Sequence, residues 1–125
     1  MDTRSAAREW LKSKHRLSSQ AMYSSKYYRA FESWPKKEVW WLQIPIIAVE
    51  QYTHINLLCQ ASPDSQKFFY LKVPSSFFKE HLSKFDIVGN KIHIYLSPDP
   101  VDSLTEIRGR GTLKICNLSY FQLKG

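Results

Sequence analysis

Short segments rich in β-branched and aromatic residues follow one another from residue 38 onward. They are EVWWLQIPIIAVE, THINLLCQ, KFFYLKV, KIHIYLS and LTEIRGRGTLKICNL. Each segment predicts a strand, since such residues pack well on a pleated surface. Pro45 indicates an edge or a bulge in the first strand, and Gly109 and Gly111 permit a bend or a hairpin in the last. The fold must therefore be built mainly from short strands.

One helical pattern interrupts these strands. In PSSFFKEHLSKF, Phe78, Leu82 and Phe85 follow the spacing of a helix face, and Ser75 or Ser76 is the expected N-cap. The predicted order over roughly residues 38–118 is β-β-β-α-β-β, which resembles the oligonucleotide-binding (OB) barrel, where a helix lies between the third and fourth strands. We therefore predict an α+β fold with a small curved antiparallel sheet or an OB-like barrel.

A basic helix is predicted ahead of this body, from about residue 4 to residue 17, with Asp2 or Thr3 as its N-cap. Its apolar positions fall on one side: Ala7, Trp10, Leu11 and Leu17. Its cations form a ridge nearly opposite: Arg4, Arg8, Lys12 and Arg16. The ridge can follow a phosphate backbone, or it can simply be a solvated helix face.

The segment SSQAMYSSKYYRAFESWPKK has no clear periodicity and is either a second short helix or an ordered connector. Lys36 and Lys37, which follow Pro35, suggest a boundary near residue 36. We therefore expect residues 1–36 to form a basic amphipathic helix and an aromatic-rich connector, and residues 37–125 to form a single α+β domain.

The net charge of +7 lies mainly in the N-terminal part of the chain. Residues 1–38 hold nine Lys or Arg against four Asp or Glu, whereas the remainder holds nine against seven. Such a balance favours an acidic partner such as nucleic acid, although solubility alone also explains it. An anionic membrane is less favoured, because the apolar side of the N-terminal helix is short of large residues.

Cys59 and Cys116 lie far apart in predicted strands, which favours free thiols in a reducing compartment. The first 30 residues hold no apolar core of a signal peptide, and no run of about 18 apolar residues predicts a transmembrane span. The expected location is the cytoplasm, or the nucleus in a eukaryotic cell.

Alternation on two predicted strands places rings beside cations. These residues are Phe68, Tyr70 and Lys72 on one strand, and Lys91, His93 and Tyr95 on another. If the strands are neighbours, their shared face suits single-stranded nucleic acid, because bases stack on rings and lysines neutralise phosphates. Alternatively, the N-terminal helix covers this face, with Trp10 and Leu11 packed on Phe68 and Tyr70.

Two further segments carry basic residues of interest. The segment YYRAFESWPKK combines four aromatic residues with Arg29, Lys36 and Lys37, a composition typical of a nucleic-acid surface or of an arm that docks on a protein. In EIRGRG, Arg108 and Arg110 lie beside glycines that permit close approach of a phosphate, although a β-bulge explains these glycines equally well.

The search for catalytic chemistry is mostly negative. His15, His54, His81 and His93 are scattered, and neither CxxC nor HxxxH spacing occurs, so no metal site or cofactor is predicted. The residue types of a metal-independent nuclease are nevertheless present: His93, Tyr95, Lys72 and Arg108. The sequence thus favours a protein without catalytic residues.

Our leading hypothesis is a nucleic-acid-binding protein that uses the basic N-terminal helix and the aromatic, basic sheet face. The alternative is a protein-interaction module or accessory subunit, whose many rings are covered by a partner protein or in a homo-oligomer. A small metal-independent nuclease is the third hypothesis.

Overall fold

The computed structural model describes residues 3–15, 21–30, 38–98 and 122–123. The helices in these residues are α1 Thr3–His15, α2 Ile46–Gln51 and α3 Ser75–Glu80, with a 3₁₀ turn at Leu82–Lys84. The strands are β1 Met22–Ser25, β2 Tyr27–Tyr28, β3 Val39–Pro45, β4 His54–Gln60, β5 Phe68–Pro74, β6 Asp86–Val88, β7 Lys91–Leu96 and β8 Gln122–Leu123. None of the helices in the described residues has the length and apolar character that a membrane span requires.

The strands form two four-stranded sheets. The first sheet has the order β1-β4-β5-β8, and the second sheet has the order β2-β3-β7-β6. Neighbouring strands are antiparallel, except that β1 is parallel to β4. The α+β class and the N-terminal helix are therefore confirmed. A single curved sheet or a closed barrel is not formed by the described residues, which pack instead as two sheets.

The connector predicted between the N-terminal helix and the body contributes two strands. Met22–Ser25 pairs with Asn56–Cys59 of the first sheet, and β2 pairs with the start of β3 in the second sheet. Between β1 and β2, the Ser25 hydroxyl donates to the Lys26 carbonyl and accepts the Trp41 backbone N–H, each at 2.8 Å. The chain thus passes from one sheet to the other at Lys26. There the Ser25 hydroxyl, instead of a neighbouring strand, supplies hydrogen bonds to the backbone.

The first predicted strand is shorter than expected, because its second half is the helix α2. Pro45, at φ −61° and ψ 137°, is the residue before the helix, and the Ile46 N–H donates to the Asn90 carbonyl at 2.9 Å. Proline has no N–H for a sheet ladder, so pairing ends there and the chain turns. The six-residue helix then places Ala48 and Val49 in the core.

The main hydrophobic core lies between the two sheets. Alternate residues of β3, β4, β5 and β7 point into it, and α2 and α3 contribute Val49 and Phe78. On β7 the face opposite Lys91, His93 and Tyr95 points inward, since Ile92, Ile94 and Leu96 are all fully buried. At the edge of this core the Trp40 indole N–H donates to the Gln60 carbonyl at 2.7 Å, so the buried ring keeps a partner for its polar group.

The predicted helix after Pro74 is present but is shorter and differently capped. It ends at Glu80 and is followed by the 3₁₀ turn, while Phe78 and Phe85 are buried as expected. The residue before the helix is Pro74, and no side chain caps the helix. Ser75 is instead buried, and its hydroxyl donates to the Tyr52 carbonyl, so it fastens α3 to the end of α2.

A second, smaller core lies between α1 and the outer face of the first sheet. Ala7 and Leu11 are fully buried there, and the Trp10 ring meets the Phe68 ring edge-on at a centroid distance of 6.2 Å. The predicted apolar side of the helix therefore docks on the sheet at these positions. Leu17, the last residue of that predicted side, lies outside the described residues.

Candidate functional site

The six residues that would share one sheet face if their strands were neighbours lie in two different sheets. Phe68, Tyr70 and Lys72 lie on β5 of the first sheet, whereas β7, which carries Lys91 and His93, belongs to the second sheet. The condition for a shared face, that the two strands are neighbours, is therefore not met. The core between the sheets separates them, because both strands direct their apolar residues into it.

Phe68 and Tyr70 are covered by α1. Phe68 is 5% exposed and Tyr70 is fully buried, and both belong to the small core that contains Ala7 and Leu11. The Tyr70 hydroxyl donates to the Asn56 side chain at 2.6 Å, and burial raises the pKa of this phenol. These two rings therefore offer no surface on which a base can stack, although Lys72 on the same strand is exposed.

The outer face of the second sheet carries a different set of rings. Trp41 of β3 is the cross-strand partner of Tyr95 on β7, and their rings meet edge-on at 6.1 Å. The Trp41 indole N–H donates to Nδ1 of His93 at 3.3 Å, with the two rings 5.9 Å apart and tilted by 32°. Tyr28 approaches Trp41 from the neighbouring strand at 6.3 Å. Trp41 thus lies at the centre of an aromatic group.

A cleft of about 560 Å³ opens beside this aromatic group. Its walls are the first turn of α1, the strand β1 with Lys26 and Tyr28, and the outward residues of β3. In the described part of its lining, the aromatic residues are Tyr23, Tyr28 and Trp41. This volume lies within the range of about 300 to 1,000 Å³ that is usual for small-molecule and cofactor sites. The cleft is therefore large enough to hold a small aromatic ligand.

Among the residues that the structure describes, the charged ones that line the cleft are all cations. They are Arg4 from α1, Lys26 from the crossing between the sheets and Lys91 from β7. No carboxylate lines the cleft in the part of the chain that the structure describes. Lys26 Nζ lies 4.8 Å from the centre of the Tyr28 ring, which is a cation–π distance. The cleft thus combines positive charge with aromatic surface.

Tyr23 links this cleft to the main core. Its ring packs against the core between the sheets, and its side chain also lines the cleft. Burial and the nearby Tyr52 raise the pKa of the Tyr23 phenol, while the Arg4 guanidinium acts in the opposite direction. The phenol therefore stays protonated at neutral pH and is a hydrogen-bond donor near Arg4.

The remaining predicted cations lie apart from the cleft or outside the described residues. Arg8 and Lys12 continue the exposed ridge of α1 from Arg4, and Arg29 forms an ion pair with Asp64 at 3.9 Å. Both side chains of this pair are well exposed, so the pair contributes little to stability. The predicted residues outside the described ranges are Arg16, Lys36, Lys37, Arg108 and Arg110, together with the predicted boundary at residue 36 and Cys116.

Sequence reasoning missed the central position of Trp41. The strand VWWLQIP alternates, with Trp40, Leu42 and Ile44 buried and with Trp41 and Gln43 on the opposite face. That alternation identifies Trp41 as an outward ring, but it does not reveal that β7 is the neighbouring strand. The sequence likewise does not reveal that Lys26 and Tyr28 line the cleft, because their position depends on where the chain crosses between the sheets.

Among the described residues, histidine, cysteine and carboxylate side chains form no group of three or more able to hold a metal ion. No protein-family model, curated protein or solved structure matches the chain. The physical character of the cleft, with its cations and rings, is therefore the basis for inferring function.

Proposed function

We propose that the protein binds nucleic acid through the exposed ridge of α1 and the outer face of the second sheet. The observation that carries this proposal is that Arg4 and Lys91, which belong to these two surfaces, line the same cleft beside Trp41. Cations neutralise phosphates, and rings contact bases, so both parts of a nucleotide find matching chemistry.

The ridge of α1 supports the same proposal. Arg4, Arg8 and Lys12 are exposed and lie four residues apart, so they rise by about 6 Å from one to the next along the helix. The helix is held by its buried opposite side, which fixes the ridge relative to the cleft. A negatively charged backbone that leaves the cleft can therefore follow these cations.

The salt dependence of binding tests the role of the ridge. Fluorescence anisotropy of labelled single-stranded and double-stranded DNA and RNA would be measured between about 50 mM and 200 mM salt. In the variant Arg8→Gln with Lys12→Gln, the slope of log K against log salt should become less negative by about 1.4 for a single strand. Each lost phosphate contact accounts for about 0.7 of this change.

A matched control removes the same charge elsewhere. Lys79→Gln with Lys84→Gln takes two cations from α3 and the 3₁₀ turn, which pack on the core between the sheets, whereas α1 packs in the separate small core. This control should keep the slope of the unmodified protein. Equal slopes in both variants would overturn the role of the ridge. Absence of binding at low salt would overturn the whole proposal and favour a protein-interaction module.

A further inference from the structure

We infer that the cleft accepts one unpaired nucleotide, so that the protein prefers single-stranded over double-stranded nucleic acid. This inference rests on the nucleic-acid binding proposed above and names the strand type and the residues that receive the base. The base would lie against Trp41, and its phosphates would contact Arg4 and Lys91.

The aromatic wall of the cleft is held in place before any ligand enters. Trp41 is fixed by its hydrogen bond to His93, by the tilted contact with the same ring and by the edge-on contact with Tyr95. A ring that is already ordered loses little conformational entropy on binding. Trp41 is therefore well suited to stack against a base.

The polar groups of the cleft suit the phosphate and sugar of the same nucleotide. Arg4 offers a planar guanidinium, which can donate two parallel hydrogen bonds to a phosphate. Lys91 is exposed at the cleft from β7, and Ser24 and Gln43 also line it with hydrogen-bonding side chains. With no carboxylate in the described lining, nothing there repels the phosphate.

The need for an open base face distinguishes between strand types. In a duplex, both faces of each base are stacked and its Watson–Crick edge is paired, so only groove edges and phosphates are accessible. In a single strand, a base can turn out of the stack and lie on a protein ring. A cleft that works through stacking on Trp41 thus selects an unpaired nucleotide, while the ridge of α1 contacts either strand type.

The test compares a labelled oligothymidylate and oligouridylate with duplexes of the same length. One stacked base should make the single strands bind about 5- to 150-fold more tightly than the duplexes. In a Trp34→Phe background, which removes the tryptophan outside the described residues, binding should also change the fluorescence of Trp41, since Trp10 and Trp40 are buried away from the cleft. Trp41→Leu should remove both the fluorescence change and most of the strand preference.

A second variant tests the cleft without changing Trp41, which is half-buried and whose substitution can disturb packing. Arg4→Gln with Lys91→Gln changes two cleft cations and should weaken binding of single strands more than binding of duplexes. The control Lys79→Gln with Lys84→Gln should retain the strand preference. A free nucleoside monophosphate, added as a competitor, should bind far more weakly than the oligonucleotide, because it lacks the contacts to Arg8 and Lys12.

Each contrary outcome has a distinct meaning. One contrary outcome is equal affinity for single strands and duplexes, together with equal affinities of the Arg4→Gln, Lys91→Gln variant and the Lys79→Gln, Lys84→Gln control. This result would overturn the cleft as a nucleotide site and leave nucleic-acid binding intact. A mononucleotide that binds as tightly as the oligonucleotide would overturn the strand assignment in favour of a free-nucleotide site. Absence of binding to every nucleic acid would overturn the proposed function itself.

Discussion

The docking of α1 on the first sheet predicts a large loss of stability when Leu11 is shortened to alanine. Leu11 is fully buried in the small core with Ala7, Phe68 and Tyr70. The substitution removes three carbon atoms, which corresponds to about 2.4 kcal/mol of transfer free energy at about 0.8 kcal/mol each. The cavity that remains adds to this cost, so the free energy of unfolding should fall by about 3 kcal/mol.

Urea denaturation followed by circular dichroism measures this change, with Lys14→Ala as the control on the same helix. Lys14 is exposed, so its substitution should alter the free energy of unfolding by less than about 0.5 kcal/mol. An unchanged m-value with a lower midpoint would indicate that α1 unfolds together with the sheets. A loss below about 1 kcal/mol for Leu11→Ala would refute the packing of α1 over Phe68 and Tyr70.

Further predictions concern the main core and its edge. Trp40→Phe should lower the free energy of unfolding by at least about 1 to 3 kcal/mol in the same assay, because the buried Gln60 carbonyl loses its donor; a neutral effect would contradict this hydrogen bond. Burial, together with a hydrogen bond to Glu38, raises the pKa of Tyr27 to about 12. The folded protein thus holds this proton more tightly than the unfolded chain. The resulting contribution of Tyr27 to the free energy of unfolding is present below pH 10 and is lost as the pH rises from about 10 to 12. Tyr27→Phe should flatten this loss when urea midpoints are compared across that range, and parallel pH profiles would contradict the assignment. Full burial raises the pKa of the Cys59 thiol, so in a Cys116→Ser variant a thiol reagent should react with Cys59 only as fast as the protein opens; rapid reaction in the native state would contradict its burial.

Much of the local structure could be predicted because it depends on residues close in sequence. The inward alternation of Ile92, Ile94 and Leu96 follows from the two-residue period of a strand, which holds whatever the neighbouring strand is. The buried side of α1, with Ala7 and Leu11, follows in the same way from the period of a helix.

The candidate site could be predicted only in part. The spacing of the helix and of the strand identifies Arg4 and Lys91 as candidate binding residues, and both line the cleft. Trp41 was not identified, since its role depends on the pairing of β3 with β7 across about fifty residues of chain. The pattern at Phe68 and Tyr70 fits either a binding face or cover by α1, and the small core shows that α1 covers them.

Local periodicity and residue type are sufficient to predict the α+β class, the N-terminal helix and the two faces of β7. The strand Met22–Ser25 has no clear alternation in its sequence, and it forms by pairing its backbone groups with β4. The change of sheets at Lys26, and the meeting of Arg4, Lys91 and Trp41 in one cleft, depend in the same way on tertiary contacts. Strand neighbours are selected by the burial of apolar faces between distant segments, which no local pattern records.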